Sequence, residues 1–114
     1  MLFVCYSKCG TCKKAQKHLD ELHKEYVVRD IKTENPLREE LEVWWRMSGL
    51  PLRKMFNTSG KLYKEMDLKN KLVSMSDEEM LDLLASDGML VKRPIIVLES
   101  KVLVGYKQEE YNCI

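Results

Sequence analysis

The stretch Val4-Cys5-Tyr6-Ser7-Lys8-Cys9-Gly10-Thr11-Cys12-Lys13-Lys14 holds three of the chain's four cysteines. Its flanks decide how it is read. Upstream, Leu2 to Tyr6 is a continuous apolar run, as expected of a strand buried on both faces. Downstream, Gly10 to Lys24 has helical periodicity. Ala15, Leu19 and Leu22 share one face, while Lys13, Lys17, Asp20 and Lys24 face solvent. Tyr26-Val27-Val28 then reads as a second strand. Strand, helix and strand within about thirty residues predict a parallel βαβ unit with a right-handed crossover. Cys9 and Cys12 therefore fall where the loop after the first strand enters the first helix.

That position has chemical consequences. A helix N-terminus presents unpaired N–H groups and partial positive charge. A cysteine thiolate placed there is stabilised, so its pKa falls and it becomes a nucleophile near neutral pH. Lys8 and Lys13 add positive charge, and Gly10 keeps the approach open. Cys12 lies one helical turn deeper, from where it can attack a disulfide formed at Cys9 and release the partner. A metal clamp is the competing reading of clustered cysteines. Structural zinc takes four ligands, usually as two such pairs. The remaining candidates are Cys5, His18, His23 and the distant Cys113, and both histidines are expected to point away from the helix N-terminus. No metal is expected. Cys5, inside a buried strand, reads as packing, and Cys113 as part of a frayed end.

The middle of the chain reads as helical. Asn35-Pro36 predicts an N-cap followed by proline at the first helical position. That helix runs through Leu37, Leu41 and Trp44-Trp45 to Ser48-Gly49. Leu50-Pro51 opens a short helix ended by Asn57-Thr58-Ser59-Gly60. Ser76 and Glu79 form a capping box before Met80-Leu81-Asp82-Leu83-Leu84, and Asp87-Gly88 reads as the stop. Residues 36–87 are thus a helical block without linker composition. Pro94 to Leu98 and Lys101 to Val104 then flank a turn at Glu99-Ser100, predicting a β-hairpin.

This order resembles the thioredoxin fold: α/β, with a four-stranded mixed sheet and a helical insertion between the βαβ unit and the C-terminal hairpin, as one domain spanning 1–114. In that fold a proline at the start of the third strand sits against the active-site cysteine with a cis peptide bond. The resemblance implies that role for Pro94, and Arg93 would project a cation toward Cys9 to lower its pKa or bind an anion.

Bulk properties exclude several function classes. Apolar residues make up 45% of the chain, enough for a core without disulfide staples. A formal net charge of +1 gives no strong pull toward nucleic acid or a membrane surface. No apolar run approaches a membrane span, and Met1-Leu2-Phe3-Val4 lacks the features of a signal peptide. The expected location is the cytosol, where thiols stay reduced unless they turn over.

The motifs carry a closer resemblance. Lys8-Cys9-Gly10-Thr11-Cys12-Lys13-Lys14-Ala15, Ser48-Gly49-Leu50-Pro51-Leu52-Arg53, Phe56-Asn57-Thr58-Ser59-Gly60, Leu90-Val91-Lys92-Arg93-Pro94-Ile95 and Val104-Gly105-Tyr106 resemble, in order and spacing, the arsenate reductase (ArsC)/Spx family and its small bacterial ArsC-like branch. The resemblance implies Cys9 as the catalytic cysteine with Arg93 facing it, and Lys8, Gly10, Thr11 and Pro94 beside the substrate. It also marks departures. The arginines that surround arsenate in the glutaredoxin-coupled reductases reduce here to Arg93; the other two positions fall on Asn57 and Tyr106, and a histidine position falls on Cys5. At about 1.5–3 kcal/mol per charge-assisted hydrogen bond, two missing arginines cost roughly 3–6 kcal/mol of anion binding. Lys107 and Arg53 are the nearby cations in sequence.

Cys12 is shared with the Spx branch. Its members bind the C-terminal domain of the α chain of RNA polymerase through a surface that includes a glycine matching Gly49. Trp44, Trp45 and Arg46 are the accompanying candidates, with at least one tryptophan expected in the core. The chain leaves no room after Tyr111 for the longer C-terminal helix of Spx. The expected function is thiol–disulfide exchange by Cys9 and Cys12, with no bound cofactor and with thioredoxin, glutaredoxin or glutathione as reductant. The alternatives are glutathione/glutaredoxin-dependent arsenate reduction and redox-sensing regulation through RNA polymerase.

Overall fold

The computed structural model describes residues 1–114. Four strands, β1 (Leu2–Cys5), β2 (Val27–Asp30), β3 (Ile95–Val97) and β4 (Val102–Val104), form one sheet in the order β2-β1-β3-β4. β1 runs parallel to β2 and antiparallel to β3, and β3 and β4 form the antiparallel hairpin. Phe3 and Val4 are completely buried, so the central position of β1 explains its unbroken apolar sequence. β2 is an edge strand one residue downstream of the expected one. Val27 and Val28 lie largely exposed on it, while Tyr26 packs edge-on against Phe3 at 5.6 Å.

The helices are α1 (Gly10–Glu21), α2 (Arg38–Ser48), α3 (Lys61–Glu65), α4 (Leu68–Lys71), α5 (Asp77–Ser86) and α6 (Gln108–Asn112). Short 3-10 turns occupy Leu52–Met55, Leu72–Ser74 and Gly88–Leu90. The sheet separates two apolar clusters. The larger joins Val4, Ile31, Ile95 and Val104 to the helical block through Leu41, Trp44, Met55, Phe56, Leu81 and Leu84. The smaller joins Phe3, Cys5 and Ile96 to α1 and α6 through Cys12, Ala15, Leu19 and Tyr111. This is the thioredoxin-like α/β arrangement with helices inserted between the βαβ unit and the hairpin.

Three local expectations are corrected, and a fourth feature has no expectation attached to it. First, α1 ends at Glu21 rather than Lys24, because His23 turns into the left-handed region at φ 57°. Second, α2 starts at Arg38. Asn35 is not its cap: the Asn35 amide donates to Ala85 O at 3.0 Å, tying the loop to the end of α5. The Glu40 carboxylate instead accepts the Leu37 N–H at 3.0 Å, and Arg29 holds that carboxylate with two contacts of 2.6 and 2.9 Å. Third, the piece after Pro51 is a single 3-10 turn rather than a helix running to Asn57. Fourth, Tyr111 belongs to α6, a helix that the polar sequence around it gives no reason to expect, and is fully buried.

The capping box at α5 is present, with Glu79 N–H donating to Ser76 Oγ and Ser76 N–H to Glu79 Oε1, both at 3.1 Å. Gly88 serves close approach rather than a left-handed cap. A Cβ there would stand 1.8 Å from Ile31 O, so the block closes against the end of β2 only with glycine. Gly49 does take the left-handed C-cap of α2, at φ 71°.

Candidate functional site

Cys9 is the N-cap of α1, held by its N–H to Tyr6 O at 3.0 Å and by Lys13 N–H donating back to Cys9 O at 3.2 Å. It is half-buried, at one end of a cleft of about 450 Å³. Burial pushes the Cys9 thiol up. The Cys12 N–H, the Cys12 thiol and the Arg93 guanidinium pull it down and prevail, leaving it below the ordinary thiol value.

Cys12 sits one turn inside α1 and is 3% exposed. The Tyr6 N–H donates to its sulfur at 3.4 Å. Burial pushes its thiol up to about 12, with the neighbouring Cys9 adding to the rise. The two thiols thus shift in opposite directions, Cys9 below and Cys12 above the ordinary thiol value. Cys5 is buried in the same cluster at the end of β1, and Cys113 is exposed beyond α6.

Arg93 forms the opposite wall. The Arg93-Pro94 peptide is cis, and Pro94 is buried. Pro94 O accepts the Gly105 N–H at 2.8 Å, which pins the start of β3 to the end of β4. The Arg93 guanidinium lies over the Tyr6 ring at 5.1 Å, and its buried Nε and Nη1 find no protein acceptor. Thr11 also lines the cleft, whereas Lys8 is exposed outside it and Gly10 faces open space. Asn57 and Tyr106 complete the walls.

The nearby cations are not the ones expected from sequence proximity. Arg53 lines a separate groove beside Leu72 and Met75, and Lys107 is the exposed N-cap of α6. Lys61 and Lys92 line the Cys9 cleft instead, and no carboxylate does. Sequence spacing cannot find Lys61, because the turn at Asn57–Gly60 is what folds it back over the site.

His18, expected to point away from the site, is buried and joins α1 to two distant residues. Its Nδ1 lies 2.8 Å from the Tyr106 hydroxyl and its Nε2 2.8 Å from Asn112 Oδ1. One tautomer satisfies both, with Nε2 donating to Asn112 and Nδ1 accepting from Tyr106. On the far surface Trp44 is core while Trp45 is half-buried, with its indole N–H donating to Leu50 O at 2.9 Å and Arg46 over its ring at 4.9 Å.

A mixed four-stranded sheet with a cysteine at the cap of its first helix and a cis proline opening its third strand defines a thioredoxin-like thiol protein, although Pro94 itself is not among the residues that line the Cys9 cleft. Residues 5–114 match the ArsC family, and the chain belongs to that family. It is 50% identical to the Bacillus subtilis uncharacterized protein YusI over 112 residues, covering 98% of this chain and 95% of YusI. Against the regulatory protein MgsR of the same organism the identity is 28% over 110 residues, covering 96% of this chain and 86% of MgsR. The crystal structure of an ArsC-family-related protein from Bacteroides fragilis superposes with a TM-score of 0.96 at 52% identity, covering 98% of this chain and 94% of that one.

Proposed function

We propose that this protein is a thiol–disulfide oxidoreductase in which Cys9 is the nucleophile and Cys12 the resolving thiol. The observation that carries this reading is the asymmetry of the pair: Cys9, at the cap of α1 beside Arg93, is lowered, while buried Cys12 is raised to about 12. The Cys9 thiolate attacks one sulfur of a substrate disulfide. The S–S bond breaks, and the leaving thiolate takes a proton from solvent. The mixed disulfide removes the negative charge that opposed ionisation of Cys12. Cys12 then loses its proton and attacks the Cys9 sulfur, releasing the second substrate thiol and leaving a Cys9–Cys12 disulfide. A dithiol such as thioredoxin or glutaredoxin, or two molecules of glutathione, returns the pair to the reduced state. Pro94 and Thr11 shape the approach to Cys9, and Gly10 leaves it open.

The test is mass spectrometry after exposure to a small disulfide. Peptide mapping should show a Cys9–Cys12 disulfide in the wild-type chain, a retained mixed disulfide on Cys9 in Cys12→Ser, and no adduct at Cys12 in Cys9→Ser, with the exposed Cys113 scored separately. Adduct formation in Cys9→Ser at Cys12 would overturn the assignment.

Arsenate reduction is the less favoured reading within the same chemistry. Arg93 is the single bidentate donor in the cleft, and Lys61 and Lys92 supply point charge without the fork that grips a tetrahedral dianion. A glutathione–glutaredoxin coupled assay should show little arsenate-dependent turnover. The likeness to the regulatory protein MgsR, and at 26% identity to the global transcriptional regulator Spx 1 of Bacillus cereus, favours a different second reading, in which the dithiol is a sensor and the protein a regulator that binds RNA polymerase. The segment Trp45–Leu50 would be its contact surface, and binding to the isolated C-terminal domain of the polymerase α chain would test it.

A further inference from the structure

The Cys9 cleft is polar for its size. Ligand pockets of a few hundred Å³ are usually lined by apolar groups. This one, of about 450 Å³, has three cations, no carboxylate, and only Cys9 and Tyr106 among its apolar linings. Its three cations are not equivalent. Arg93 is stacked on the Tyr6 face in the same wall of the cleft, with its buried Nε and Nη1 lacking a protein acceptor. Lys61 extends into solvent and lies 3.7 Å from Glu65, one turn along α3. Lys92 is half-buried and takes part in none of the ion pairs of the molecule.

Lys92 is also held in place. Its N–H donates to Met55 O at 2.7 Å. Its stem crosses Gly105, where φ is 79° and an added Cβ would stand 2.9 Å from Lys92 Cε. Glycine at 105 thus serves the backbone turn and the lysine at once. Two adjacent cations in one recess repel each other, and an anion bound there offsets the cost. With Arg93 fixed by its stack on Tyr6 and Lys61 drawn toward Glu65, Lys92 is the cleft cation left to meet a negative group further along the ligand.

We infer that Lys92 is a specificity-determining residue, holding a carboxylate of a small acidic disulfide while Cys9 attacks its sulfur. This rests on the thiol-exchange reading above and narrows its substrate to low-molecular-weight disulfides of carboxylated thiols. The size of the cleft suits such a ligand. In the step itself the Cys9 sulfur forms the new S–S bond, the ligand's own S–S bond breaks, and the carboxylated thiolate departs with the electron pair and is protonated by solvent.

The experiment compares single-turnover rates of the reduced full chain with three symmetric disulfides at low salt: glutathione disulfide (anionic), hydroxyethyl disulfide (neutral) and cystamine (cationic). The wild type should favour glutathione disulfide over cystamine. Lys92→Ala should lower the ratio of glutathione-disulfide rate to hydroxyethyl-disulfide rate by about tenfold, the worth of one charge-assisted contact. Lys92→Glu should invert the order of glutathione disulfide and cystamine, and Lys92→Arg should keep the wild-type order. Equal loss on all three disulfides would overturn the inference and reduce Lys92 to a scaffold residue. Protection of Cys9 by millimolar phosphate, with no preference among the disulfides, would assign the cleft to an inorganic oxyanion and also overturn it. If hydroxyethyl disulfide itself fails to react, the exchange reading falls and this inference with it.

Discussion

The His18 imidazole and the Tyr106 hydroxyl, 88 residues apart, meet at 2.8 Å and bind the first helix to the wall of the Cys9 cleft. The bond lies partly under the surface, and its second arm reaches Asn112 in α6. Replacing His18 by Ala deletes both arms and leaves a small void. The expected cost is about 2 kcal/mol of unfolding free energy, read as a lowered urea midpoint. Tyr106→Phe should cost less, about 1 kcal/mol, because it removes one arm.

Cys9 should be the first thiol alkylated at mildly acidic pH, ahead of Cys5, Cys12 and the exposed Cys113. Exposure alone would favour Cys113, so the order of labelling by peptide mapping separates thiolate character from access.

Arg93→Ala should raise the Cys9 pKa, since the thiolate loses its neighbouring cation. Arg93→Lys should recover part of the charge effect while losing the planar stack on Tyr6. The readout is the ultraviolet absorbance of the thiolate against pH. An unchanged titration in Arg93→Ala would exclude Arg93 from tuning the thiol.

The two site thiols should act on stability with opposite signs. Cys9 is lowered in the folded state, so its contribution is present above the ordinary thiol value of 9.0 and is lost as pH falls through its folded pKa. Cys12 is raised to about 12, so its contribution is present below 9.0 and is lost as pH rises toward 12. Cys12→Ala should therefore flatten the alkaline limb of a stability–pH curve, and Cys9→Ala should flatten the limb below 9.0.

Gly88→Ala should be among the most damaging single-methyl additions in the chain. The new Cβ would lie 1.8 Å from Ile31 O, a backbone atom that cannot swing aside. The expected loss is about 3 kcal/mol or more, seen as a fall in the thermal midpoint. Gly10→Ala, where an added Cβ meets nothing, is the control.

The strand order is readable in the sequence because β1 and β3 carry unbroken apolar runs and the hairpin turn is short. The placing of Cys9 at the cap of α1 and Cys12 one turn inside it is readable because a helix period follows Cys9 directly. Other features depend on long-range closure and have no local signal. Glu40 outcompetes Asn35 as the cap of α2 because Arg29, on β2, fixes the carboxylate in place. His18 reads as one more polar residue on α1 until α6 and Tyr106 supply partners 88 and 94 residues away. Lys92 is hidden beside its more conspicuous neighbour Arg93, and its place in the cleft depends on the bare backbone of Gly105.

The burial of Cys12 has a consequence for how the protein is made. The small core around it is finished by Tyr111, which follows Cys12 by 99 positions in the chain. Its central strand β1 must also wait for β3, since Leu2 pairs with Val97. During translation, at about 5–20 residues per second, both thiols therefore spend several seconds uncovered before the hairpin and α6 emerge. In that interval nothing distinguishes Cys12 from Cys9. The difference in burial between Cys9 and Cys12 is acquired only when the far end of the chain docks, so a nascent chain oxidised before then would carry its modification on either sulfur.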